Sequence, residues 1–196
     1  MTTRTIFDRV FGKKPPSSIL VTGPQRSGTR IAAKMAAADL GYRYFDEQTI
    51  GVDAFDVAIG ILEVPKAVLH APGICHLTHL MWDTNLCPPR VAVMIVLRDL
   101  EEIKRSCARI NWFPKAEEQK YLSRPEFAPY LAEGAHVAQW KYDVWKYYQR
   151  PLMQTLVGDF YYTIKYEDMS YHPLWIPAEE RRGFKWNQTE RTHDER

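Results

Sequence analysis

Short apolar runs alternate along this chain with longer stretches of helical spacing. Ser18-Ile19-Leu20-Val21-Thr22 is a compact apolar run closing on Gly23, the pattern of a buried strand. From Gly28 onward Ile31, Met35 and Ala38 fall on one helical face, and Gly41 supplies a stop. A second inner strand is expected over Lys66 to His70, ended by Pro72, and the clearest strand of all is Val91 to Leu97. After it Leu100, Ile103, Cys107 and Ile110 recur at helical spacing, with Asp99 placed to cap the first turn. Residues 125–148 read as helical, with Val137, Trp140, Val144 and Tyr148 on one face, and Phe160 to Lys165 reads as the last strand. Apolar strands alternating with helices predict an α/β fold of three layers, a parallel sheet covered by helices on both faces.

With 196 residues, 45% of them apolar, the chain suits one domain with one core. Residues 18–189 are expected to form that domain, preceded by a polar arm over 1–17 and followed by a charged tail over 190–196. No apolar run approaches the ~20 residues of a membrane helix, and the first residues lack the apolar stretch of a secretory signal. A cytoplasmic protein is the expectation, with no membrane partner. Twenty-six basic against 24 acidic residues leave a net charge of +2, which disfavours a general nucleic-acid binder; any anion site must be local. Cys75, Cys87 and Cys107 are odd in number and widely spaced, as expected of free buried thiols. His70, His76 and His79 lie near Asp83, but their spacing fits no metal-site pattern, so no metal is expected.

The chemistry concentrates where the first strand ends. Gly23-Pro24-Gln25-Arg26-Ser27-Gly28-Thr29 leads directly into a helix, whose unpaired first-turn amides and dipole favour an anion. The loop has the G-x-x-x-x-G skeleton of a P-loop, yet Thr29 stands where an ATPase carries Lys, and the cation comes earlier, at Arg26. A diphosphate-like group suits such a loop better than a γ-phosphate with magnesium.

The R-S-G-T sequence resembles the 5′-phosphosulfate loop of the sulfotransferases, in which Lys or Arg precedes Ser-Gly-Thr. Three later segments extend the resemblance in the family's order. Arg98 ends a strand and Ser106 follows eight residues later, similar to the family's 3′-phosphate segment. Tyr166-Glu167-Asp168 resembles a segment whose tyrosine lies near the adenine, and Arg181-Arg182-Gly183 resembles a compressed form of the late R-K-G segment. The resemblance spans residues 19 to about 189 and implies a P-loop NTPase-like sulfotransferase fold in a short member with reduced acceptor-binding insertions.

It also implies 3′-phosphoadenosine 5′-phosphosulfate as cofactor, held by Arg26, Ser27, Gly28, Thr29, Arg30, Arg98, Ser106, Tyr166, Arg182 and Gly183, with adenosine 3′,5′-bisphosphate as product. The sulfuryl group would pass by in-line displacement to a hydroxyl or amine on a small molecule, glycan or peptide. Arg26 is the residue assigned to the charge on the leaving oxygen, although unlike Lys it is unsuited to giving up a proton. His70, in His70-Ala71-Pro72, is similar to the family's H-x-P base; His76, His79 or a carboxylate compete for that role. Two other readings stay open: a P-loop kinase of a nucleotide or small metabolite, and a catalytically silent nucleotide-binding module. The oligomeric state is open, a homodimer included.

Overall fold

The computed structural model describes residues 5–12, 14–46, 73–76, 91–109, 125–131, 133 and 137–177. Within them five parallel strands form one sheet: β1 (Ser18–Thr22), β2 (Tyr44–Phe45), β3 (Gly73–His76), β4 (Ala92–Leu97) and β5 (Tyr161–Lys165), in the order β2-β3-β1-β4-β5. Along β1 and β4 successive side chains point to opposite faces, and both sets are buried: Ile19, Val21 and Met94 on one, Leu20, Val93 and Ile95 on the other. Burial on both faces is why these strands read as unbroken apolar runs.

The helix α2 (Thr29–Leu40) lies on the first face, with Ile31, Ala32, Met35 and Ala36 in the same core as Ile19, Val21 and Met94. Its apolar stripe differs from expectation at Ala38, which is exposed, because the buried side runs through Ala33, Ala36 and Ala37 instead. Gly41, at φ 66°, ends the helix in the left-handed conformation, and its cap amide bonds to the Ala37 carbonyl.

Part of the presumed polar arm is ordered and apolar on one side. Ile6–Phe11 is a helix, α1, closed at its start by a reciprocal capping box in which Thr5 and Asp8 each accept the other's amide. Phe7 and Phe11, one turn apart, enter the main core, and Phe11 meets Tyr162 of β5 edge-on at 4.9 Å. Six residues flanked by charge give too short a stripe to stand out in the sequence.

The expected strand at Lys66 to His70 lies outside the described residues; the strand paired with β1 is Gly73–His76. The helix α3 (Leu100–Arg109) follows β4, and Asp99 Oδ1 accepts from the amides of Glu101 and Glu102 at 2.9 and 3.3 Å, as a cap should. The stretch read as one helix from residue 125 divides. Pro125–Tyr130 is a 3₁₀ turn, then α4 (Val137–Val144), a π turn (Trp145–Gln149) and α5 (Arg150–Val157) run on continuously. Pro151 accounts for the wide turn: it has no N–H and its ring would crowd the carbonyl four residues earlier, so the bond pattern shifts to Arg150 N–H on the Trp145 carbonyl. Ala138 and Tyr142 seat α4 against Ile103 and Cys107 of α3. Among the described residues no helix is long and apolar enough to cross a membrane.

Candidate functional site

From β1 the chain leaves toward β2 and β3 on one side, and from β4 toward β5 on the other. The carboxyl ends of β1 and β4 therefore flank a topological switch point, where open α/β sheets bind their ligands. The loop Gly23–Gly28 follows β1 there, and Arg98 follows β4.

The loop is tightly wound. The Ser27 amide donates to the Pro24 carbonyl at 3.0 Å, and Arg26, third in that turn, has φ 68°. A positive φ is rare outside glycine and costs on the order of 1–2 kcal/mol. Neighbouring contacts hold it in place: Arg98 Nη1 donates to the Arg26 carbonyl at 2.8 Å, and Arg26 Nε donates to Ser106 Oγ at 3.3 Å. Gly28, at φ 93°, then opens α2. A Cβ at this position would lie 2.5 Å from the Tyr166 ring, so only glycine lets the loop and the ring approach this closely. Ser27 is buried, and its Oγ has no hydrogen-bond partner among the described residues. A buried hydroxyl without a partner is a group for which a ligand oxygen would supply the missing bond.

Arg98 is the hub. It is 8% exposed, its guanidinium carbon lies 3.8 Å from the centre of the Tyr166 ring, and Nη2 stands 3.6 Å from Glu102. The Tyr166 amide donates to the Leu97 carbonyl at 2.8 Å, which pins the start of the segment after β5 to the end of β4. Trp175 meets the Tyr166 ring edge-on at 4.9 Å. Beside this cluster opens a cleft of about 460 Å³ lined by Arg98, Glu102, Arg105, Arg109, Tyr166, Trp175 and Pro177. Three arginines against one glutamate give it a positive wall, and two aromatic rings give it an apolar one.

The residues named from the sequence thus divide into two groups. Arg26, Ser27, Gly28 and Thr29 form the loop and the first residue of α2, while Arg98, Ser106 and Tyr166 come from the residue after β4, from α3 and from the segment after β5 and converge on that loop. Arg30 is exposed on α2. Tyr166, expected beside a purine, packs on Arg98, Gly28 and Trp175 and lines the cleft beside them. His70, His79, Arg181, Arg182 and Gly183 lie outside the described residues. His76, the competing histidine, is the last residue of β3 and the register partner of Val21.

Arg105, Arg109 and Trp175 escaped the sequence reading. The first two had a signal: positions 98, 102, 105 and 109 recur at helical spacing and line one wall of the cleft. Trp175 had none, because its approach depends on how the segment after β5 folds back.

No protein-family model, no curated protein and no solved structure matches the chain.

Proposed function

We propose that the chain adopts a P-loop-like sulfotransferase fold and binds 3′-phosphoadenosine 5′-phosphosulfate at the rim formed by Gly23–Thr29, Arg98 and Ser106. One observation carries the reading: the two anion-binding segments, 80 residues apart in sequence, touch through Arg26 and Ser106 at 3.3 Å. A nucleotide phosphorylated at both 3′ and 5′ carries its anions on one ribose, so its two phosphate sites must adjoin. The orphaned Ser27 hydroxyl fits a ligand oxygen at the 5′ end. The cleft suits the other end, with arginines for a 3′-phosphate and aromatic surface for a base, and about 460 Å³ lies within the range of small-molecule sites.

When bound, the nucleotide supplies a sulfuryl group attached to a phosphate leaving group. The protein's part is placement and charge. The amides opening α2, with Ser27 and Thr29, hold the 5′ end. Arg26 sets its charge beside the leaving oxygen, and Arg98 and Ser106 hold the 3′-phosphate, joined by Arg182 and Gly183 from outside the described residues. His70, outside the described residues, is assigned to take the acceptor proton, with His76 at the end of β3, His79 or a carboxylate as the competing bases. The acceptor is a hydroxyl or an amine on a small molecule, glycan or peptide.

A kinase reading has less support. Thr29 stands where the P-loop lysine belongs, and Asp99, which could imitate a magnesium-binding acid at a strand end, has Oδ1 engaged as the cap of α3.

Thermal denaturation with adenosine 3′,5′-bisphosphate, AMP, and ATP with magnesium tests the proposal, since a ligand at a hundredfold excess over its Kd stabilises by about 2.7 kcal/mol. The bisphosphate should raise Tm most. A larger rise with ATP and magnesium would transfer the assignment to a kinase. Binding without transfer of labelled sulfate to any acceptor in a broad screen would leave a silent nucleotide-binding module.

A further inference from the structure

The glycine loop lacks an ammonium of its own, and the fold brings one from elsewhere. Lys141, on α4, donates from Nζ to Oε1 of Gln25, across 116 residues of sequence. Its helix is seated by packing: Ala138 and Tyr142, three residues before Lys141 and one after, pack with Ile103 and Cys107 of α3. The same α3 carries Ser106, the partner of Arg26. Loop, Arg26, Ser106 and Lys141 therefore form one mechanically linked set. Within the loop, the group that Lys141 meets is a neutral amide, not a carboxylate.

We propose that Lys141 completes the anion site of the glycine loop, supplying in trans the ammonium that Thr29 replaces at the usual P-loop position. Resting on the sulfotransferase reading, its role is to neutralise the leaving phosphate. The acceptor oxygen or nitrogen bonds to sulfur, the bond from sulfur to the nucleotide's phosphate oxygen breaks, and its electron pair stays on that oxygen. Lys141 meets the new charge with a hydrogen bond and keeps its proton, while the acceptor's proton passes to the base. Arg26, splayed toward Ser106, cannot alone surround that oxygen. A compact ammonium from a second direction can.

The test begins with a probe that requires no nucleotide assignment. Inorganic pyrophosphate is titrated into the full chain and into Lys141→Met and Lys141→Arg variants, with folding checked by circular dichroism. The expected result is at least tenfold weaker binding in Lys141→Met and a smaller loss in Lys141→Arg. Equal affinity in wild type and Lys141→Met, or no pyrophosphate binding by the wild type, overturns the proposal. Should pyrophosphate behave as expected while adenosine 3′,5′-bisphosphate does not bind, the sulfotransferase reading fails and the anion role of Lys141 survives. Where transfer is measurable, Lys141→Ala should lose kcat by at least a hundredfold with little change in acceptor KM and recover part of it with added methylamine. A lysine that merely tied α4 to the loop would give no amine rescue.

Discussion

Arg98 Nη1 donates to the main-chain carbonyl of Arg26 at 2.8 Å, so the cation at the end of β4 fixes the backbone of the loop after β1. One side chain thereby sets the geometry of both candidate phosphate segments, and its flat guanidinium does so while lying on Tyr166. A lysine cannot hold the carbonyl and cover the ring together.

Arg98→Lys should therefore cost about 1–3 kcal/mol of stability, the scale of a buried charge-assisted hydrogen bond, read from urea unfolding. It should also reduce the Tm advantage of adenosine 3′,5′-bisphosphate over AMP. Stability lost without any change in that preference would assign Arg98 a structural role alone.

Gly28→Ala should be far more damaging than Gly41→Ala, although both glycines have positive φ. At Gly41 a Cβ meets nothing within 4 Å, so the cost is the conformational one, about 1–2 kcal/mol. At Gly28 it would lie 2.5 Å from Tyr166, adding about 1–3 kcal/mol of overpacking and displacing the ring that seats Arg98. Equal losses in chemical denaturation would mean that the ring moves aside freely.

Ser27→Ala separates stability from binding. Its hydroxyl is buried and orphaned, so removing it should leave the free protein as stable or up to about 1 kcal/mol more so. Affinity for adenosine 3′,5′-bisphosphate should fall about tenfold, the value of one hydrogen bond. Isothermal titration beside thermal unfolding reads both signs, and a drop in stability with unchanged affinity contradicts the ligand-directed role.

Lys34, over the Tyr44 ring at 5.3 Å, is held below its ordinary pKa of 10.5 chiefly by burial, with Arg30 adding to the shift and Asp46 opposing it. The folded protein thus releases this proton more readily than the unfolded chain. Stability rises as pH climbs from the lowered value toward 10.5, is fully gained above it, and is lost again as pH falls back. Replacing Lys34 with Met should remove that alkaline rise and the burial cost of the charge at neutral pH. Urea midpoints of both proteins across the alkaline range provide the check; parallel curves would rule out Lys34 as the source.

The elements legible in the sequence were those whose pattern is local. The apolar runs of β1, β4 and β5 gave strands within a residue of the observed ends, and helix ends were marked by the backbone freedom of Gly28 and Gly41 and by the side-chain cap of Asp99. Where the signal was short or interrupted the structure adds to the reading: α1 hid between charges, Gly73–His76 pairs with β1 while the expected strand at Lys66 to His70 lies outside the described residues, and Pro129 and Pro151 divided one expected helix into several turns.

The sequence by itself determined that a glycine-bounded loop carrying Arg26 stands between a strand and a helix, because the strand's apolar run, the glycines and the helix start are all written in consecutive residues. Only the tertiary structure decided which distant groups share that loop. Ser106 and Lys141 reach it from α3 and α4, Arg98 fastens it from just after β4, and Tyr166 and Trp175 close one side. The reason is physical: sheet order and helix packing bring these residues together, and neither is a property of any local stretch of chain.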